Sequence, residues 1–118
     1  DLQTSLSLTS VTSFSVTATT STIVTTTGYF RVFGAATQIT NGSADRDVAF
    51  TITDGTTSKV VYSLRSKAGV SNNSLSENFD FVVLLQAGDS LTTTASADAY
   101  SRGITRQLAD LSGNLVNP

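Results

Sequence analysis

The sequence predicts an all-β chain: an antiparallel two-sheet β-sandwich or jelly roll with an extended N-terminal segment. Three observations predict it. Apolar residues alternate at period two in several separate stretches, as half-buried strands require. No amphipathic helical pattern separates those stretches, which argues against βαβ units and for less than about a tenth helix. Thr and Ser fill the polar positions, and β-branched Thr packs well on a pleated surface. The 118 residues suit one domain, and only 14% of them are charged, against roughly 25% in an average globular protein.

Residues 1–27 stand apart as a Thr/Ser-rich segment holding ten Thr and six Ser, with Asp1 as the only charge before Arg31. Leu6 and Leu8, then Phe14 and Val16, alternate with hydroxyl residues, and Ile23-Val24 sits in a Thr run. One or two strands are expected here. An uncharged strand is poorly protected against edge pairing, so the segment is expected to dock on another subunit. Asp1, with no initiator Met before it, is expected to be a processed or truncated N-terminus.

The main domain is expected over 28–104. Tyr29 to Gly34 reads as a strand with Tyr29, Arg31 and Phe33 on one side and Phe30 and Val32 on the other, continuing to Thr40 past a bend at Gly34. A turn cluster at 41–45 follows. The central element is a hairpin from Asp47 to Leu64. Val48, Phe50 and Ile52 alternate along its first arm, and Val60, Tyr62 and Leu64 along its second. Asp54-Gly55 between them suits a tight turn.

Ser66 to Glu77 lacks an apolar pattern and reads as a long loop. In the next strand Phe79, Phe81, Val83 and Leu85 share one face. Val82 and Leu84 share the other, which calls for burial on both sides or cover by a neighbouring subunit. After a turn at 86–89, Leu91, Thr93, Ala95 and Ala97 alternate, and Ala99 to Ile104 adds a short strand. The tail 105–118 is ambiguous: Ile104, Leu108 and Leu111 have the spacing of a helical turn. The predicted core includes Phe50, Ile52, Val60, Tyr62, Phe81 and Val83.

Composition excludes several chemistries. The chain has no Cys and no His, which removes disulfides, thiolate metal sites, serine triads and His-ligated zinc or haem. Net charge is −2 with no Lys/Arg cluster, so no nucleic-acid partner is expected. The longest apolar run is Phe81 to Leu85, far short of the ~18 residues that span a bilayer, and no secretory signal pattern is present. Neither a membrane partner nor a cofactor is expected.

The remaining candidates have bland explanations. Asp45, Asp47 and Asp54 are too few for calcium, which takes roughly six to eight oxygens. Glu77 and Asp80, three apart on a strand, point to opposite faces and do not make a glycosidase pair. Asp89 reads as a turn residue. The sequons Asn41-Gly42-Ser43 and Asn72-Asn73-Ser74 arise by chance in so Ser-rich a chain. Tyr29, Phe30 and Phe33 fall on both faces, so they read as core before they read as a sugar platform. No catalytic, cofactor-binding or metal-binding residue is assigned.

Two stretches carry a resemblance. VAFTITDGTTSKVVYSL and FDFVVLLQAGDSLTTTASADAYSRGI, with the turn Ala87-Gly88-Asp89-Ser90-Leu91, resemble small β-sandwich virion proteins of tailed bacteriophages. The resemblance covers roughly residues 28–105. It implies a non-enzymatic capsid decoration or cement protein on the virion, a homo-oligomer with a trimer favoured, contacting the major capsid or other virion proteins. A neck, tail or fibre-attachment protein is the first alternative. A carbohydrate-binding or adhesin module is the second.

Overall fold

The computed structural model describes residues 11–40, 44–66 and 73–116, and all regular structure in them is β-strand. The strands are β1 (Thr12–Thr17), β2 (Thr20–Val24), β3 (Gly28–Thr40), β4 (Arg46–Thr53), β5 (Ser58–Ser66), β6 (Asn73–Leu85), β7 (Ser90–Ala95) and β8 (Ala99–Ala109). They form two antiparallel four-stranded sheets, sheet I in the order β1-β8-β3-β6 and sheet II in the order β2-β7-β4-β5. The two sheets face each other as a sandwich. Hence the all-β, two-sheet expectation holds.

Period-two alternation decides what lies between the sheets. Val16 from β1, Phe30, Val32 and Ala36 from β3, and Phe79, Val83 and Leu85 from β6 point inward from sheet I. Val24, Val48, Phe50, Leu64, Leu91 and Ala95 answer from sheet II. Phe50 is fully buried and forms the centre of an aromatic cluster. Its ring centroid lies 4.8 Å from Phe79, 5.4 Å from Phe81, 5.9 Å from Phe14 and 5.9 Å from Tyr62. Tilted and edge-on pairs of this kind add to simple burial.

Several expectations are corrected. Val60 is 58% exposed and is not core. The β4–β5 pairing shifts between Phe50 and Thr51: Phe50 faces Tyr62, but Thr51 faces Val60. The extra residue of this bulge reverses the alternation, so Val60 joins the outer face with Thr51. Ile52, Tyr62 and Phe81 are partly buried against the core, while Phe50 and Val83 are fully inside it. The hairpin turn is also longer than the tight one expected. It spans 54–57, with Gly55 at φ 94° and the Asp54 carboxylate accepting from the Thr56 and Thr57 N–H groups at 2.8 and 2.7 Å.

The strands outrun their apolar patterns. β6 begins at Asn73, inside the expected loop, because Asn73 to Glu77 pair with Ala36 to Thr40 and need only backbone bonds and a Thr37–Ser76 hydroxyl contact of 3.0 Å. Gly34 bends nothing: β3 is paired on both sides through it. Among its described residues the tail makes no helical turn. Thr105 to Ala109 complete β8, and Asp110 then accepts from the Ser112 and Asn114 N–H groups at 3.0 and 2.9 Å, closing a turn. The sequons, most of the 41–45 cluster and residues 1–10 with Leu6 and Leu8 lie wholly or partly outside the described residues. The described half of segment 1–27 pairs inside the domain: β1 with β8 and β2 with β7.

Two core predictions follow from this packing. Phe50→Ala should lower unfolding free energy by about 3–5 kcal/mol, whereas Val60→Ala should change it by under about 0.5 kcal/mol; urea denaturation measures both. Gly34 faces Gly103 across β3–β8, and a Cβ on Gly34 would overlap the Arg102 carbonyl and sit 2.5 Å from the Gly103 Cα. Gly34→Ala should therefore destabilise by about 1–3 kcal/mol through overpacking, read as a lowered urea midpoint at unchanged slope.

Candidate subunit interface

The carboxylates that a catalytic reading would need are occupied with structure. Glu77 accepts a hydrogen bond from the Tyr62 hydroxyl at 3.0 Å, and Asp80 accepts two from Arg31 on the opposite side of β6. Asp89 Oδ2 caps the 86–89 turn by accepting from the Gln86 N–H at 3.0 Å. Asp45 and Asp47 flank Arg46, and Asp54 lies at the far end of β4. Among the described residues no three acidic side chains gather as a metal site. A groove of about 330 Å³ runs between β1 and β2, lined by hydroxyls with Phe14, Val16 and Ile23, and holds no titratable group.

The two outer faces of the sandwich differ in kind. On sheet II the outward residues include Thr20 and Thr22 from β2, Thr92 and Thr94 from β7, and Ala49 and Thr51 from β4. Across β2, β7 and β4 this face is small and hydroxyl-bearing, while along β5 it carries Val60 and Arg65, the latter across from Asp47. Thr20 and Thr94 even pair through their hydroxyls at 3.1 Å.

Sheet I presents a different surface. The β3–β6 register sets Tyr29 beside Leu84, Arg31 beside Val82 and Phe33 beside Asp80, all outward. Val82 is 57% exposed, Leu84 37% and Tyr29 36%. Arg31 is fixed from two directions. Its Nε and Nη2 donate to the Asp80 carboxylate at 2.9 and 2.7 Å, and its guanidinium carbon lies 4.3 Å from the Phe33 ring centroid. The hydrogen bond to Asp80 raises the Arg31 pKa and lowers that of Asp80. So exposed a pair adds little to folding; it holds the guanidinium over the ring. Further along β8, Arg102 stacks 5.1 Å from the Tyr100 ring. The aromatic platform considered from sequence is thus divided: Phe30 is core, while Tyr29 and Phe33 lie on this face.

No protein-family model and no curated protein matches the chain. Solved structures do. A crystal structure of a pentameric capsid protein isolated from metagenomic phage sequences is 34% identical, with TM-score 0.80, over 100% of this chain and 72% of that one. A second crystal structure of that description, solved by iodide phasing, is 35% identical with TM-score 0.82, over 100% of this chain and 74% of that one. The chain belongs to this phage capsid-protein family. It is a small phage virion β-protein, as its resemblance implied. The Eiger TNF of S. frugiperda is similar in fold alone, at 16% identity and TM-score 0.52 over 74% of this chain and 63% of that one.

The sequence already set Tyr29, Arg31 and Phe33 on one side, and Val82 with Leu84. It gave no sign that β3 and β6 are neighbours, so the two half-patches could not be joined. Asp80 as the partner of Arg31 was missed for the same reason.

Ionisation sets the pH range of the fold. Hydrogen bonds from the Thr57 and Thr56 amides lower the Asp54 pKa, and those from Asn114 and Ser112 lower that of Asp110. Stability from such groups is present above the ordinary Asp pKa near ~4 and lost as pH falls through the depressed folded values. Burial, then the hydrogen bond to Glu77, pushes the Tyr62 phenol up to about 12. A raised pKa works in the other direction: its stability is full below the free-tyrosine value near ~10 and lost as pH rises towards the folded one. Thermal melts should therefore show melting temperature falling at both extremes. Tyr62→Phe should abolish the latest step of the phenolate absorbance titration.

Proposed function

We propose that this protein is a non-enzymatic capsid subunit that assembles with copies of itself as a ring of five, and that it serves the shell as a decoration or cement protein. The observation that carries the reading is identity of 34–35% over the whole chain with two crystal structures described as a pentameric capsid protein. The trimer favoured from sequence gives way to five copies on the same ground. The strand orders β1-β8-β3-β6 and β2-β7-β4-β5 support reading the sandwich as a jelly roll, an architecture that capsid domains use.

The mechanism is burial without chemistry. Short Thr and Ser side chains lose little rotamer freedom when another surface covers them, so hydroxyl-rich faces suit a protein whose work is to be covered. A ring of five has cyclic symmetry, and its contacts are heterologous: a patch on one copy meets a different patch on the next. Capsid relatives also favour the shell over the neck, tail or adhesin alternatives.

Light scattering after size exclusion tests the ring. The purified protein is expected at about five times the 12.3 kDa chain mass. A monomer or trimer at every concentration would sink the pentamer. Added to shells stripped of it, the protein should bind at saturable stoichiometry and raise their melting temperature; failure of both would refute the cement role.

A further inference from the structure

The geometry points to the outer face of sheet I, centred on Val82, Leu84 and Tyr29, as the surface through which one copy of this chain grips the next. This rests on the ring-of-five reading and assigns its contact.

Three observations single out this face. The first is its apolar content, contiguous by register. Tyr29 stands directly across from Leu84, and Val82 across from Arg31, so the exposed apolar residues form one patch and not scattered points. The second is order. Arg31 is clamped between the Asp80 carboxylate and the Phe33 ring. Tyr and Arg are the usual anchors of interfaces, and an anchor already held in one rotamer loses little freedom on binding. The third is position. β6 ends its sheet, and from Val82 to Leu85 it carries no charge, proline or bulge of the kind that blunts exposed edges.

The chemistry favours a second copy over other occupants. Arg31 is answered by Asp80, while Arg102 and Arg106 stand on the same outer face along β8, so the case for a second copy rests on the apolar content of the β3–β6 patch and not on charge balance. Permanent homo-oligomer contacts are the apolar class, and the structures at 34–35% identity are described as pentameric. The outer face of sheet II is built on Thr20, Thr22, Thr92 and Thr94, with Val60 and an Asp47–Arg65 pair along its β5 edge, and among its described residues has no aromatic anchor to compete.

Val82→Asp tests the assignment on the full chain. In the free subunit the new carboxylate would lie beside Arg31, across β3–β6, so the fold should tolerate it. Within a covered interface it would be desolvated at heavy cost. Leu84→Asn is the second variant, and Val60→Asp, at an equally exposed valine on sheet II, is the control. Circular dichroism and thermal melts establish that each variant folds. Light scattering across a dilution series then reads assembly. The expected result is that V82D and L84N dissociate at concentrations at least about tenfold higher than wild type, a change of about 1.4 kcal/mol or more, while V60D stays assembled. Folded V82D and L84N that remain in rings as tight as wild type overturn the assignment, as does equal dissociation by V60D. If those two variants keep the ring but no longer bind shells, the face belongs to a shell contact and the assignment also fails. Wild type that is monomeric throughout would overturn the ring-of-five reading itself, a distinct result read from the unsubstituted chain.

Discussion

Phe50 is the contact on which the sandwich depends. It rises from β4 in sheet II and meets Phe14 of β1 and Phe79 and Phe81 of β6, all in sheet I, with Tyr62 of β5 beside it. One ring therefore ties both edge strands of sheet I to the far sheet. The cluster also fixes register. With Phe79 and Phe81 inward, period-two geometry sends Asp80, Val82 and Leu84 outward. A soluble monomer would be expected to place polar residues there. This sequence places two aliphatic residues instead, so packing of the inner face dictates where the apolar outer patch must stand.

Much of this was legible in the chain. The hairpin read from Asp47 to Leu64 and the place of its turn, the inward set Phe79, Phe81, Val83 and Leu85, and the alternation of Leu91, Thr93 and Ala95 all follow from side chains that alternate against one buried face. What failed has local causes. Val60 was misplaced because a bulge adds one residue and leaves no mark in a Val-Val sequence. Asn73 to Glu77 and Thr105 to Ala109 were not read as strands because long sheets extend past the core, where backbone pairing alone sustains them. Phe14, Val16 and Val24 were seen as strand residues, but alternation does not name a partner. It could not say that β1 would lie on β8 and β2 on β7, inside the domain.

Buried Thr93 followed from alternation, but two larger buried polar side chains were not legible. Gln38 and Arg46 are buried, and nothing in their neighbourhoods of sequence announces it. Gln38 donates to the Leu64 carbonyl at 2.7 Å, joining β3 of sheet I to β5 of sheet II. Arg46 donates to the Ile39 and Ala44 carbonyls at 3.1 and 3.2 Å and to the Asp98 carboxylate at 3.0 Å. Asp98 can reach it because its backbone adopts the left-handed region at φ 60°, which Asp tolerates better than most residues. Buried charge of this kind is retained only where every donor finds an acceptor. The acceptors here come from three separate segments, so the network forms only once the sheets have closed.

The same closure leaves the two outer faces unlike. Sheet II turns out small hydroxyl residues with Val60 and Arg65 along β5, and sheet I turns out Tyr, Phe, Val and Leu with Arg stacked among them. An identical, self-complementary patch would serve a two-fold dimer. A ring needs something else: each copy must offer one surface to the neighbour ahead and a different one to the neighbour behind. A sandwich meets that need without additional elements, because its two sheets have separate outer faces and separate edges whose residues are not constrained by the shared core. Charge would complicate such a design, since each exposed charge must find an answer on the facing copy. The low charge of this chain and the answering of Arg31 by Asp80 lessen that difficulty on the β3–β6 side of the face, while Arg102 and Arg106 keep charge along β8. The Thr and Ser composition suits the assembly proposed above: outward strand positions that another surface covers do best with side chains that pack, hydrogen-bond weakly and lose little entropy.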